Sequence, residues 1–176
     1  MRHILRRLEW VVDEWRYQGE EGAEDEAVAL IVPLARLRAE GERWRTSSGR
    51  LGVRLTPSDT VAELAADLPR LGLVAVEFPN PGDGRGYSQG RLLRERLGFS
   101  GELRAVGTGV RQDQVFLLAR CGFDAMELAP GEDPQAARRA LTRYDVAYQP
   151  GAAGASLVAL RAQRFLSRGA QVARQV

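Results

Sequence analysis

The sequence contains no lysine, one histidine and one cysteine. All 25 basic residues are therefore arginine, and the chain can form neither a lysine Schiff base nor a Walker-type phosphate loop. Cys121 alone excludes an internal disulfide, a four-cysteine zinc site and a protein-held iron–sulfur cluster. A Ser-His-Asp triad would have to use His3, next to the start of the chain. Any catalysis must come from carboxylates, tyrosine, serine, Cys121, arginine or a bound cofactor.

The sequence also lacks a long apolar run and a strong charge imbalance. No run approaches the roughly 20 apolar residues that span a membrane, and charged residues interrupt the apolar positions of MRHILRRLEW too often for a signal peptide. We therefore expect a cytoplasmic protein without membrane contacts. The net charge of +2 is small and its arginines are interspersed with acids, so we expect no nucleic-acid partner.

From residue 50 onward, apolar strand patterns alternate with helical patterns. The predicted strands are RLGVRL, GLVAVEF, GELRAVG, FDAMELAP and DVAYQ. Between them we predict a helix that begins with a capping box at Thr60, one from about Ser88 to Leu97, one that ends at Gly122, and one capped by Asp133. This alternation predicts an α/β fold, mainly a parallel (βα)n sheet that is open or a partial, half TIM-barrel-like barrel.

The ends of the chain define the predicted domain organisation. Residues 1–150 are expected to form a single α/β domain, with an N-terminal hairpin and connector over 1–48 and the βα repeats over 50–149. The apolar residues from Ile4 to Trp15 fit a helix as well as two short strands, while ALIVPLARL reads as a strand that turns into a short helix. Residues 151–176 are predicted to be a C-terminal helical extension, partly disordered.

The segment VAVEFPNPGDGRGYSQGRLLRERLG, residues 74–98, places a glycine-rich loop between a strand and a helix. Loops after the strands of a parallel sheet gather at one rim, where ligands bind. Free backbone N–H groups and arginines there suit an anion such as sulfate, phosphate or a phosphorylated metabolite. A purely structural loop remains the alternative. The predicted ligand-binding residues are Asp83, Gly84, Arg85, Gly86, Tyr87, Ser88, Arg111 and Asp113.

Two glutamates and one arginine are the candidates for catalysis. Glu77 and Glu127 each lie near a strand end, where they could act as acid and base, although they could equally pair with arginines. Arg104 lies inside a predicted buried strand, so it must either form an ion pair, with Glu77 or Glu127 as expected partners, or face a ligand. Cys121 is expected to be a buried small hydrophobe. No metal site and no cofactor motif is evident.

The chain resembles the bacterial domain-of-unknown-function family 934 over residues 4–149. The resemblance rests on FP-x-x-x-DGRGYS-x-x-RLLRERLGF-x-GELRAVG and DQ-x-x-x-x-ARCGFDAMEL, with WRYQGEE, VPLARL, RLGVRL and AYQ around them. Pro81, Gly90 and residues 108–112 depart from the pattern. The resemblance implies an oxidoreductase or accessory protein of sulfite reduction, because the family's genes lie beside sulfite reductase genes. It implies no catalytic residues, and it favours a hairpin at the N-terminus.

Two functional hypotheses follow. The first is a non-enzymatic accessory protein of assimilatory sulfite reduction, which binds a small anion or a sulfite reductase subunit. The second is a small sulfur-pathway enzyme that acts on an anionic substrate through its carboxylates and arginines. Exposed edges of a partial barrel would suit a homodimer.

Overall fold

A computed structural model describes residues 2–20, 29–41, 44 and 50–143, and these residues form an α/β fold around one eight-stranded sheet. The strands are β1 (His3–Arg6), β2 (Glu9–Val12), β3 (Trp15–Tyr17), β4 (Ala29–Pro33), β5 (Leu51–Leu55), β6 (Leu71–Glu77), β7 (Glu102–Val106) and β8 (Ala125–Met126). The α-helices are α1 (Leu34–Ala39), α2 (Arg85–Arg91), α3 (Val115–Arg120) and α4 (Pro134–Thr142). No helix in this part of the chain could span a membrane.

The N-terminus forms a β-hairpin, as predicted. β1 pairs with β2 antiparallel, with His3 opposite Val12. The two residues of the turn, Arg7 and Leu8, have φ angles of 48° and 73°, which is the twist that a two-residue hairpin turn requires. Neither residue is glycine, so the turn carries no sequence signal. The helical spacing of the apolar residues is misleading here.

The sheet has mixed strand directions. Its order is β2-β1-β8-β7-β6-β5-β4-β3, and the pairings from β3 through β8 are all parallel. β1 pairs antiparallel with both β2 and β8. The prediction of a mainly parallel sheet is therefore right for the βα repeats, and the hairpin joins the same sheet at the β8 edge. The predicted connector contributes β3 as well as the expected strand β4 and helix α1.

The connection between β2 and β3 requires the sheet to curl. These strands lie at opposite edges of the sheet. A flat sheet would hold them about 34 Å apart, at about 4.8 Å per strand. Only Asp13 and Glu14 join them, and three residue steps span at most about 11 Å. The two edges must therefore approach each other, and the sheet forms a curled half-barrel.

Apolar side chains fill both faces of the curled sheet. The larger core lies between the convex face and the helices, and it includes Val74, Val76 and Phe78. A smaller cluster fills the concave face, with Trp15, Ile31, Leu73, Ala75 and Val106 among its members. Because side chains alternate between faces along a strand, Glu77 follows Leu73 and Ala75 on the concave side. This alternation positions the polar residues described below.

Helix boundaries differ from the predictions in two places. Thr60 makes no capping hydrogen bond, and the segment after it forms 3₁₀ turns at Val61–Leu64 and Leu68–Arg70 instead of a continuous helix. Helix α2 begins at Arg85, three residues before the predicted start near Ser88, with Gly84 as its N-cap. The helix continues as a π-helical turn over Leu92–Arg96.

The last two helices agree with the predictions. α3 is followed by Gly122 with a φ of 98°, the left-handed conformation that commonly follows a helix. At α4, the Asp133 side chain accepts a hydrogen bond from the Gln135 backbone N–H at 2.8 Å. The predicted strand DVAYQ and the C-terminal extension over 151–176 lie outside the described residues.

Candidate functional site

The carboxyl ends of the parallel strands carry a polar rim on the concave side of the sheet. Four of its residues are Tyr17 at the end of β3, Arg54 near the end of β5, Glu77 at the end of β6 and Glu127 just after β8. The ends of parallel strands are where α/β proteins bind ligands. Glu77 and Glu127, predicted as two carboxylates at one rim, therefore lie at the expected edge of the sheet.

Tyr17 and Glu127 join the first and last parallel strands. The Tyr17 hydroxyl donates a hydrogen bond to Glu127 Oε2 at 2.9 Å. Burial, reinforced by the negative charge of Glu127, raises the pKa of the Tyr17 hydroxyl well above its usual value. The phenol is therefore a fixed proton donor at neutral pH, and Glu127 is its acceptor.

Arg54 and Glu77 form a second pair at the rim. Arg54 Nη2 lies 2.8 Å from Glu77 Oε1, and the Arg54 side chain is 41% exposed. The Arg54 guanidinium also lies 6.0 Å from the centre of the Tyr17 ring. Glu77 is the carboxylate partner of Arg54 among the described residues. A guanidinium with one such partner keeps other N–H donors for a ligand.

A buried ion-pair network lies one layer below the rim. In the parallel register, Arg104 lies beside Ala75 and Val106 lies beside Glu77. Arg104 forms its ion pairs with two other carboxylates and not with Glu77 or Glu127 as predicted. It is fully buried, and its guanidinium contacts Asp13 at 2.8 Å and Glu102 at 2.7 Å.

The charges of this network stabilise each other. Burial alone would lower the pKa of Arg104, but hydrogen bonds and attraction from Asp13 and Glu102 outweigh it and raise that pKa. Burial likewise opposes ionisation of Asp13, yet hydrogen bonds from Arg104 and Arg2 hold its pKa below the usual range. Both groups remain charged, so the geometry gives Arg104 a structural ion pair.

Arg2 completes the connection between the two sheet edges. Its guanidinium donates to Asp13 at 2.8 Å, to Glu20 at 2.7 Å and to the Trp15 backbone carbonyl at 2.8 Å. It also lies 4.5 Å from the centre of the Tyr17 ring. Side chains thus bridge the edges where backbone pairing ends.

The predicted anion loop is organised by contacts within the loop. Arg85 and Asp83 form a bidentate pair, with Arg85 Nη2 2.7 Å from Asp83 Oδ2 and Arg85 Nε 3.0 Å from Asp83 Oδ1. Hydrogen bonds to Arg85 hold the pKa of Asp83 below its usual range. The Tyr87 hydroxyl donates to Gln114 Oε1 at 3.1 Å. Gly84 and Ser88 are exposed.

Gly86 has a packing role in this loop. A Cβ atom at Gly86 would lie 2.6 Å from the Phe78 ring, so glycine lets α2 pack against the end of β6. Gly90, one turn later, meets the Phe123 ring in the same way, at 2.5 Å. Close packing therefore accounts for glycine at both positions.

The remaining predicted ligand residues lie in the loop after β7. Arg111 Nη2 is 3.1 Å from Glu132 Oε1, and the Arg111 side chain is half exposed. Asp113 is exposed. Cys121 is buried, and burial raises the pKa of its thiol, which makes it a poor nucleophile. No group of metal-binding side chains occurs among the residues that the structure describes.

Sequence reasoning missed four residues of the concave side: Arg2, Asp13, Tyr17 and Arg54. Arg54 did carry a signal, because it is a charged residue inside the apolar strand LGVRL. Side-chain alternation along this strand places it on the concave face. The other three had none, since their positions depend on the curl that brings β1, the β2–β3 link and β3 beside β7 and β8.

A comparison with family models identifies the family of this chain. Residues 52–158, more than half of the sequence, match the family described as "Bacterial protein of unknown function (DUF934)". The chain belongs to this family. This confirms the resemblance seen in the sequence. No curated protein matches the chain.

Proposed function

We propose that this family member is an accessory protein of sulfite reduction that binds a small anion at the rim of its half-barrel. The link to sulfite reduction rests on the gene neighbourhood that the family resemblance implies. The anion site rests on the arginines at the rim. An accessory role needs a binding site and a partner surface, and it requires no activated nucleophile.

Three half-exposed arginines carry the proposal. Arg54 lies near the end of β5, Arg85 in the loop after β6 and Arg111 in the loop after β7, with side-chain exposures of 41%, 60% and 50%. Each is held by a carboxylate, and such a contact fixes a guanidinium while leaving further donors exposed. Asp83 accepts hydrogen bonds from two nitrogens of the Arg85 guanidinium, Nε and Nη2, so Arg85 has fewer donors left for a ligand. Arg54 is therefore the strongest candidate.

The chemistry of these side chains favours an oxyanion. Guanidinium groups bind carboxylate, sulfate and phosphate oxygens through paired N–H donors. We therefore expect sulfite, sulfate or a phosphorylated metabolite as the ligand, bound to Arg54 at the rim. An anion there would compete with Glu77 for the guanidinium. Loop residues 82–88 would contribute through Arg85.

Thermal unfolding with sulfite, sulfate and phosphate tests the anion site. Ligand at about 100 times its Kd adds about 2.7 kcal/mol of stability, so binding raises the midpoint. Arg54→Ala and Arg85→Ala should reduce the rise. Arg91→Ala is the matched control, since the Arg91 side chain is 57% exposed and, among the described residues, it pairs with Glu95 one turn along the same helix. An unchanged midpoint with every anion would reject the site.

The accessory role is tested by co-expression with the subunits of an assimilatory sulfite reductase. A stable complex that survives purification and persists in Glu77→Gln and Glu127→Gln supports it. The alternative, an enzyme, is favoured by one observation: the Tyr17 hydroxyl holds the Glu127 carboxylate at the rim, in a position to act as a base. Sulfite turnover that collapses in Glu127→Gln would establish the enzyme and overturn the accessory role.

A further inference from the structure

A cavity of about 510 Å³ opens at the other end of the sheet, between the hairpin turn and the start of β7. Its volume is within the range of small-molecule sites, roughly 300–1,000 Å³. Its charged lining residues are Arg6, Arg7, Glu9, Glu102 and Asp124. Because it lies at the amino ends of the parallel strands, it is separate from the rim.

Two of the three carboxylates in the lining are already neutralised by buried arginines. Glu102 is bound by Arg104 at 2.7 Å. Asp124 is bound by Arg94 at 3.2 Å and accepts the Leu103 backbone N–H at 2.9 Å. Neither carboxylate therefore offers its full negative charge to the cavity. The third carboxylate, Glu9, is exposed, and the two arginines of the hairpin outnumber it.

Arg6 and Arg7 have weak partners. Arg6 reaches Glu102 only at 3.6 Å, beyond hydrogen-bond distance. Arg7 is exposed and has no ion pair with any residue of 2–20, 29–41, 44 or 50–143. Its left-handed backbone, with a φ of 48°, is fixed by the hairpin turn, and its N–H donates to the Asp124 carbonyl at 3.0 Å. The turn thus places two consecutive arginines in the lining of the cavity.

We propose that this cavity binds a small organic anion, whose phosphate, sulfate or carboxylate group lies on Arg6 and Arg7. An inorganic oxyanion takes the room of two or three waters, about 60–90 Å³, so the cavity has space for an organic body. Ser100 and Gly101, which also line it, offer a hydroxyl and backbone groups to that body.

Titration of the full chain with glycerol 3-phosphate, followed by amide NMR, tests the site. Glycerol is the uncharged control. Arg7→Asn removes the charge and keeps a residue that tolerates positive φ, and Arg6→Gln is the second variant. Arg54→Gln, at the opposite end of the sheet, separates this site from the rim.

The proposal expects glycerol 3-phosphate to shift the amides of Arg7, Gly101 and Glu102, and glycerol to leave them unchanged. Either hairpin variant should weaken binding by about tenfold, the loss of one charge-assisted contact, while Arg54→Gln binds like the parent. Shifts confined to the strand carboxyl ends, no shifts, or binding by both hairpin variants as tight as that of the parent would overturn it. The first of these outcomes would leave the proposed rim site intact.

Discussion

The Tyr17 hydroxyl donates a 2.9 Å hydrogen bond to Glu127, and this single contact ties the first parallel strand to the end of the last. Tyr17→Phe removes the donor and leaves the carboxylate short of a partner. A hydrogen bond to a charged group contributes about 1.5–3 kcal/mol, and Glu127 is partly solvated, so we expect a loss of about 1–2 kcal/mol in urea unfolding. Tyr87→Phe, whose partner Gln114 is neutral, should cost less. Equal stability of Tyr17→Phe and the parent would contradict this role.

Asp13 should be the most sensitive acid of the chain. Its replacement by alanine leaves the fully buried Arg104 with Glu102 alone, and breaking a buried pair costs about 3–5 kcal/mol. The neighbouring Glu14→Ala is the control, because Glu14 and Arg50 are both mostly exposed and such pairs contribute about 0–1 kcal/mol. Urea unfolding measures both. Similar losses for the two variants would show that the buried network does not hold the sheet edges.

Asp124 should give stability an unusual pH dependence. Burial raises its pKa to about 6, although the charge of Arg94 opposes this. The folded state then holds a proton that the unfolded state, with a pKa of about 3.9, releases. This contribution is fully present below about pH 4 and is lost as the pH rises to about 6. The stability of the parent relative to Asp124→Asn should therefore fall by about 2–3 kcal/mol between pH 4 and 7. A difference that stays constant or rises with pH would refute the assignment.

The glycines of the loop before α2 should differ sharply in their tolerance of alanine. Gly86→Ala places a methyl group against the Phe78 ring, and overpacking of this kind costs about 1–3 kcal/mol. At Gly84 the nearest atom lies 4.0 Å from the new Cβ and φ is −85°, so Gly84→Ala should be nearly neutral. Thermal unfolding compares them. The opposite order would contradict the packing role of Gly86.

Local chemistry made much of the fold predictable. The βα alternation, the Asp133 cap and Gly122 after α3 are short-range features, and each is found where the sequence places it. The capping box predicted at Thr60 is absent, because the Thr60 side chain makes no capping hydrogen bond, and 3₁₀ turns replace the predicted helix.

The candidate site was only half predictable. The location of Glu77 and Glu127 at one rim was predictable, because the carboxyl ends of parallel strands lie at the same edge of a sheet. The partners of Arg104 do not, because Asp13 reaches it only through the curl of the sheet, 91 residues away in sequence. The curl itself follows from the two-residue link between strands at opposite edges, a relationship that no local pattern contains.

Calorimetric titration of sulfite into the parent protein, Arg54→Gln and Arg91→Gln is the most direct test of the anion site at the rim. We predict that sulfite binds the parent and Arg91→Gln alike and binds Arg54→Gln at least about tenfold more weakly, as the loss of a charge-assisted contact requires. Absence of binding to the parent, or equal binding by Arg54→Gln, would contradict the account.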